Sequence, residues 1–264
     1  MIWGSGDFAG GLAARRSHQF QVLALSAFSG IVMLLVCGAV RHESWPPASS
    51  VAWAAAAGVS GAGGIAALYR GLAIGSAAIV APTAAVITAA LPVMFNGITA
   101  GLPHPPQLAG FVVAIVGIWL VARTGGSSTS SKDGLRLAVV AGIGFGGFLI
   151  LIAQVHSEFV FLPLAVTRTM TLVAAVGLLL LRGVAMPALT ANPIALVAGL
   201  FDAGGNVLFL FARQYTRLDI AAVLSSFYPV ATVVLARVIL RERVTALQWL
   251  GAGVCLAAVA LITA

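Results

Sequence analysis

The stretch Ala54–Gly64, which reads Ala-Ala-Ala-Ala-Gly-Val-Ser-Gly-Ala-Gly-Gly, recurs 141 residues later as Ala195–Gly205, which reads Ala-Leu-Val-Ala-Gly-Leu-Phe-Asp-Ala-Gly-Gly. The same offset continues without a gap through further identities, among them Ile79 with Ile220, Gln107 with Gln248 and Gly110 with Gly251. Alanine matches carry little weight in so alanine-rich a chain, but the glycine and glutamine matches are informative. The chain therefore contains an internal repeat.

Each copy of the repeat carries five apolar segments. Because five is odd, the second copy enters a membrane from the side opposite to the first, and inverted pairs of this kind commonly build transporters. We therefore predict an all-α membrane protein with ten transmembrane helices in two inverted five-helix repeats. Residues 1–123 form the first repeat, 124–134 a flexible Gly/Ser linker, and 135–264 the second repeat.

The composition supports a membrane protein. Hydrophobic residues make up 61% of the chain and charged residues 8%, against roughly 25% charged residues in an average soluble domain. A bilayer core needs about 20 apolar residues in a helix, and only the first segment is short, so we expect helix 1 to be incomplete at its N-terminus. The predicted spans are 2–13, 21–40, 51–70, 77–100, 107–123, 135–155, 160–181, 193–212, 219–240 and 246–263.

The basic residues indicate orientation rather than binding to nucleic acid, although the formal net charge is +7. Of the 14 Lys and Arg, ten lie in the loops after predicted helices 1, 3, 5, 7 and 9, three lie in the other loops, and Arg168 lies inside a span. Since cytoplasmic loops carry the excess of Lys and Arg, the odd-numbered loops are predicted to be cytoplasmic. Both termini are then outside, in a plasma-membrane protein with no nucleic-acid partner.

Three ionisable side chains stand out because they lie well inside predicted spans, namely Asp7, Arg168 and Asp202. A charge at the bilayer centre costs about 2.5 to 3.5 kcal/mol on insertion scales, so each is a candidate for function. Arg168 and Asp202 are predicted at similar depths, and Asn206 lies one turn along the same helix face as Asp202. Two interpretations stay open: a static Arg168–Asp202 ion pair between helices, or a site that meets substrate or proton. Arg168, Asp202 and Asn206 all lie in the second copy, and none of them has a polar counterpart at the same offset in the first copy. This asymmetry favours function.

Prolines inside two predicted helices indicate where the chain could open. Proline removes a helix hydrogen bond, and interrupted helices in matching places of two halves indicate a transporter site. We predict that Pro82 and Pro92 interrupt helix 4 and that Pro229 interrupts helix 9. The hydroxyls nearby are candidates for substrate contact or for packing, and they include Thr83, Ser225 and Tyr228.

No metal, cofactor or ATP site is predicted. The four histidines lie in or beside loops, no cluster has metal-ligand spacing, and no phosphate-binding Gly-x-x-x-x-Gly-Lys motif occurs. An intramembrane enzyme would need a nucleophile and base at one depth, and the spans contain no histidine to supply that base. A non-transporting scaffold or sensor would normally need an extramembrane region, which loops this short do not offer.

One C-terminal stretch resembles a known family. It combines Tyr228-Pro-Val, a Glu242-Arg243 loop and a last helix that starts Gln248-Trp-Leu-Gly251, and it resembles the end of an EamA domain. Trp3-Gly-Ser5 resembles the opening of such a domain, although Gly101–His104 replaces the Glu-Arg loop in the first copy. The chain is thus similar to EamA transporters of the drug/metabolite transporter superfamily.

The resemblance implies a ten-helix inner-membrane transporter with helices 1, 3, 4, 6, 8 and 9 around a central cavity and helices 5 and 10 at the periphery. We expect a small metabolite or drug-like substrate, exported by alternating access around a mid-membrane site and driven by a gradient. Asp7 or Asp202 is the expected proton carrier if protons are coupled. Helices 5 and 10 are candidates for a homodimer contact. Family membership does not identify the substrate.

The predicted orientation can be tested with topology reporters. A reporter that is active only in the cytoplasm should be active when inserted in residues 124–134 and inactive when fused after Ala264. Fusions to the short loops after predicted helices 2 and 6 serve as matched outside controls. A cytoplasmic C-terminus would contradict the orientation.

Overall fold

A computed structural model of the protein describes residues 2–75, 77–100, 104–123, 132–215, 218, 221, 225, 234–235, 237–239 and 245–263. Across these ranges the chain is helical, and the elements are α1 Ile2–Ala14, α2 Gln19–Val40, α3 Ala48–Ile74, α4 Ala77–Ala100, α5 Pro105–Arg123, α6 Lys132–Ile152, α7 Phe161–Leu181, α8 Pro193–Tyr215 and α9 Ala246–Thr263. The all-α prediction is confirmed. The predicted span 219–240 lies almost entirely outside the described residues, so α9 corresponds to the tenth predicted span.

Six of the described helices are long and apolar enough to cross a bilayer, namely α2, α3, α4, α6, α7 and α8. Their outward faces are apolar as well, as Val36 on α2 and Leu180 on α7 show with 57% and 70% exposure. A helix that is apolar on all sides is typical of a membrane span. The chain is therefore an integral, multi-pass membrane protein.

The structure differs from the predictions for helices 4 and 6. α4 runs without a break from Ala77 to Ala100, so the prediction that Pro82 and Pro92 interrupt it was wrong. Pro92 is buried and still removes the N–H that would bond to the carbonyl of Thr88, a loss that neighbouring groups in a membrane bundle can offset. α6 begins at Lys132, so the last three residues of the predicted linker are helical.

The helices pack in reciprocal pairs. α1 packs against α8 and α3 against α6, while α2 packs against α8 and α3 against α7. α2 also packs against α7, and α5 lies along α9. The predicted peripheral helices 5 and 10 therefore contact each other within one chain.

Two glycines let helices approach closely. A Cβ on Gly58 of α3 would lie 2.5 Å from the backbone oxygen of Thr167 on α7, and a Cβ on Gly199 of α8 would overlap the backbone oxygen of Ser26 on α2. Gly58 and Gly199 are 141 residues apart, and so are Ser26 and Thr167. Small residues at such crossings allow backbones to touch, and here equivalent sequence positions form the two crossings.

The N-terminus of α7 is capped by a side chain from a distant loop. The Glu43 carboxylate accepts hydrogen bonds from the backbone N–H groups of Val160 at 2.9 Å, Phe161 at 2.8 Å and Leu162 at 3.4 Å. α7 has no side-chain cap of its own, and a carboxylate is favourable at the positive end of the helix dipole. Glu43 therefore ties the α2–α3 loop to the start of α7.

We predict that Gly58→Ala and Gly199→Ala each lower the free energy of unfolding by about 1 to 3 kcal/mol, because the added methyl pushes two backbones apart. Gly63→Ala is the matched control, since a Cβ there meets nothing within 4 Å, and should change stability by less than about 0.5 kcal/mol. Unfolding of the purified variants in lipid bicelles measures the difference. Equal effects at Gly58 and Gly63 would rule out the close crossing.

Candidate functional site

A cavity of about 50 Å³ lies near the middle of the bundle, among α1, α3, α4, α6, α7 and α8. Its described lining combines charged and polar residues with aromatic and aliphatic ones. The polar members are Asp7, Thr88, Thr167, Arg168, Thr171, Asp202 and Asn206, and the larger apolar members are Trp3, Ile65, Phe145, Phe148 and Leu149. The resemblance implied lining by predicted helices 1, 3, 4, 6, 8 and 9. Helices 1, 3, 4, 6 and 8 contribute to the described lining and α7 does so as well, whereas the predicted ninth span lies largely outside the described residues.

An ion pair crosses the cavity wall from α7 to α8. Arg168 Nη1 lies 2.5 Å from Asp202 Oδ2, and the two side chains are 4% and 14% exposed. The predicted match in depth is therefore correct. Gly30 of α2 makes room for the arginine, since a Cβ at Gly30 would lie 3.4 Å from Arg168 Cδ. The pair is formed and also faces the cavity, so both sequence interpretations remain compatible with it.

Two polar groups beside the ion pair have hydrogen-bonding capacity to spare. Asn206 is 4% exposed and lines the cavity one turn from Asp202, and its amide bonds to none of the described residues. Arg168 Nε is buried and has no hydrogen-bond acceptor among the described residues. Because an unsatisfied buried polar group is costly, both groups are suited to bind a polar molecule in the cavity.

Asp7 faces the same cavity from α1 and is half-buried. Asp202 is its charged neighbour, and Asp7 forms no ion pair with a described cation. α1 is held in place by Trp3, whose Nε1 donates a hydrogen bond to the backbone oxygen of Asp202 at 3.2 Å. The buried ring of Tyr69 lies over Gly10 and interacts electrostatically with both carboxylates and with Arg168.

Two other predicted site residues that the structure describes, Thr83 and Ser225, are not in the described lining of the cavity. Thr83 is buried in α4 with its hydroxyl unpartnered among the described atoms, but it does not line the cavity. Thr88 of the same helix does, and its hydroxyl donates to the backbone oxygen of Ala84 at 2.8 Å. Ser225 is half-buried and absent from the described lining. Tyr228 and Pro229 lie outside the described residues.

Some lining residues were not predicted, although a signal for them existed. Thr171 follows Arg168 by three residues and Thr167 by four, and side chains at these spacings share a helix face. Phe145 and Phe148 are related in the same way on α6. Within the described ranges, no group of three or more His, Cys, Asp or Glu side chains could hold a metal ion.

A multi-pass helical membrane protein with a central polar cavity has the architecture of a small-molecule transporter. The family model described as "EamA-like transporter family" matches residues 133–264, which is half of the chain and includes the whole predicted second repeat. This protein belongs to the EamA-like transporter family of the drug/metabolite transporter superfamily.

The other comparisons concern the fold. A solved structure described only as "Crystal structure of protein" is similar to this chain with a TM-score of 0.66 and 18% identity, and the match covers 99% of this chain and 95% of that one. At this identity the likeness shows the fold alone. No curated protein matches the chain.

We predict that Arg168→Met lowers the free energy of unfolding by about 3 to 5 kcal/mol, because it leaves the Asp202 carboxylate buried without a partner. The double variant Arg168→Met with Asp202→Leu should be less destabilised than Arg168→Met alone. The exposed pair of Asp133 and Arg136, 3.6 Å apart, is the control, and Arg136→Met should cost less than about 1 kcal/mol. Additive effects of the two cavity substitutions would show that the buried pair is not coupled.

Proposed function

We propose that this protein is a secondary transporter that exports a small metabolite or drug-like molecule across the plasma membrane by alternating access. The observation that carries the proposal is the cavity between helices of both halves of the chain, whose largely apolar lining includes an ion pair, an amide and a second carboxylate. Charges placed there are costly. Substrate and ion pathways are the usual reason for membrane proteins to keep them.

The inverted-repeat arrangement is part of this proposal. It is supported by the crossings at Gly58 and Gly199, whose second neighbours, Met170 and Ser29, are again 141 residues apart. It is also supported by the reciprocal packing, since exchanging the halves turns the α1–α8 contact into the α6–α3 contact. Exchanging the two halves turns α2 into α7 and α7 into α2, so the α2–α7 contact corresponds to itself. Each half would then rock about this interface.

The size of the cavity favours a closed state. One water molecule needs roughly 10 to 15 Å³ of such space, so about 50 Å³ holds a few waters, while pockets for drug-sized ligands have roughly 300 to 1,000 Å³. The helices must therefore separate to admit substrate. If the helices separate at the end of the bundle where α7 begins, the hydrogen bonds from the start of α7 to Glu43 would be strained or broken.

Transport would be driven by a gradient, because the sequence has no motif for ATP. Of the two carboxylates, Asp202 is engaged by Arg168, while Asp7 has no cationic partner in the described structure. A carboxylate that faces a cavity without a fixed counter-charge can exchange a proton more readily than one held in an ion pair. Asp7 is thus the proposed proton carrier.

The homodimer contact through the peripheral helices is also a proposal. α5 and α9 cover one side of each other, and they still expose large apolar side chains, among them Val112, Val116, Trp249 and Leu250. Lipid or a second copy would cover this surface.

Transport can be tested after a screen for small molecules that raise the unfolding temperature of the purified protein. Stabilising compounds, loaded into proteoliposomes, should leave faster than from protein-free liposomes, and an acidic exterior should speed their exit further. Asp7→Asn should abolish the effect of the pH gradient, because it removes the proton site. Asp133→Asn, at the exposed start of α6, is the charge-matched control and should behave as wild type. Stabilising compounds that never cross the membrane would refute transport.

A further inference from the structure

The charges around the cavity do not balance. Arg168 carries the only positive charge among the described lining residues, whereas Asp7 and Asp202 carry two negative charges when ionised. The arginine is already paired with Asp202. The carboxylate of Asp7 therefore has no cationic partner among the described lining residues.

The predicted span 219–240 lies largely outside the described residues and contains one acidic residue, Asp219, and one cation, Arg237. Arg237 is exposed and is not among the described lining residues of the cavity. Tyr69, the buried phenol near both carboxylates, can donate a hydrogen bond but carries no positive charge. Among the described lining residues, ionised carboxylates therefore exceed cations by one.

The charge of an ionised Asp7 can be compensated either by a proton or by a cation that enters in the place of that proton. An anion would approach two carboxylates and would have to compete with Asp202 for Arg168, so like-charge repulsion opposes its binding. A neutral molecule gains no attraction from the charge of Asp7. A cation gains the attraction of Asp7, and this attraction is stronger in a water-poor cavity than at the surface.

The rest of the lining suits a cation with an apolar part. Trp3, Phe145 and Phe148 bring aromatic rings to the cavity, and α3 makes room for two of them, since Cβ atoms at Gly61 and Gly64 would lie 3.1 Å from the ring of Phe148 and 2.9 Å from that of Phe145. Aromatic faces attract cations as well as apolar groups. We infer that the cavity selects a small organic cation, a protonated amine with an apolar group, and that Asp7 pairs with its ammonium.

This inference deepens the proposed function and rests on it for its physiological meaning, but binding can be measured without transport. Two matched series of probes separate charge from size. One series is 2-phenylethylammonium, 2-phenylethanol and phenylacetate, and the other is n-butylammonium, 1-butanol and butyrate. Within each series the apolar group is similar and the charge changes from positive to neutral to negative.

In equilibrium binding to the purified full chain in nanodiscs, the ammonium should bind about tenfold or more tightly than the alcohol or carboxylate of its series, which corresponds to about 1.4 kcal/mol. Asp7→Asn should remove this preference, and Asp7→Glu should restore much of it because it keeps the charge. Asp133→Asn should retain the full preference. Size-exclusion profiles and unfolding temperatures without ligand confirm that each variant is folded.

Three results would overturn the inference: tighter binding of the carboxylates, a cation preference that survives Asp7→Asn, or no saturable binding of either ammonium to the wild type. These failures differ from failure of the transport proposal. If the ammonium binds through Asp7 but never crosses proteoliposomes, transport is refuted and the binding site stands. If an anionic or neutral compound is transported instead, transport stands and the cation site is refuted.

Discussion

The contact between Arg168 and Asp202 is the interaction on which the centre of this protein depends. A bilayer interior provides little water to solvate a charge, so each of these groups is stabilised there by the other, 2.5 Å away. The pair joins α7 to α8, and Arg168 passes beside Gly30 of α2, where a Cβ would lie 3.4 Å from its Cδ.

Close helix crossings make this arrangement possible and also explain why it is one-sided. Ser26 and Thr167 lie at equivalent crossings against Gly199 and Gly58, so the two halves share their contact geometry. The residue after Thr167 is Arg168, whereas the residue after Ser26 is Ala27, which is fully buried. The two crossings therefore differ in chemistry, because a charged side chain follows Thr167 and a methyl group follows Ser26.

Much of the fold could be read from sequence because the bilayer imposes helix length and apolar character. The site was harder to read. Depth arguments brought Arg168, Asp202 and Asn206 together correctly, since rise per residue is constant. They did not distinguish Thr83 from Thr88 on α4, because both faces of that helix are apolar and periodicity then says nothing about which face meets the cavity. The prolines of α4 were misread for a similar reason, since neighbouring helices, invisible in sequence, can support a helix through them.

The sequence by itself determined that the chain is an all-helical membrane protein with an internal repeat, and it identified the few charged side chains that lie well inside the predicted spans. These conclusions follow from local properties: length, hydropathy, spacing and the rarity of buried charge. Only the tertiary structure decided which of the two carboxylates, Asp7 or Asp202, pairs with Arg168. That outcome depends on distances between α1, α7 and α8, which are far apart in the chain. It places Arg168 against Asp202, and among the residues that the structure describes it leaves Asp7 facing the cavity without a counter-charge.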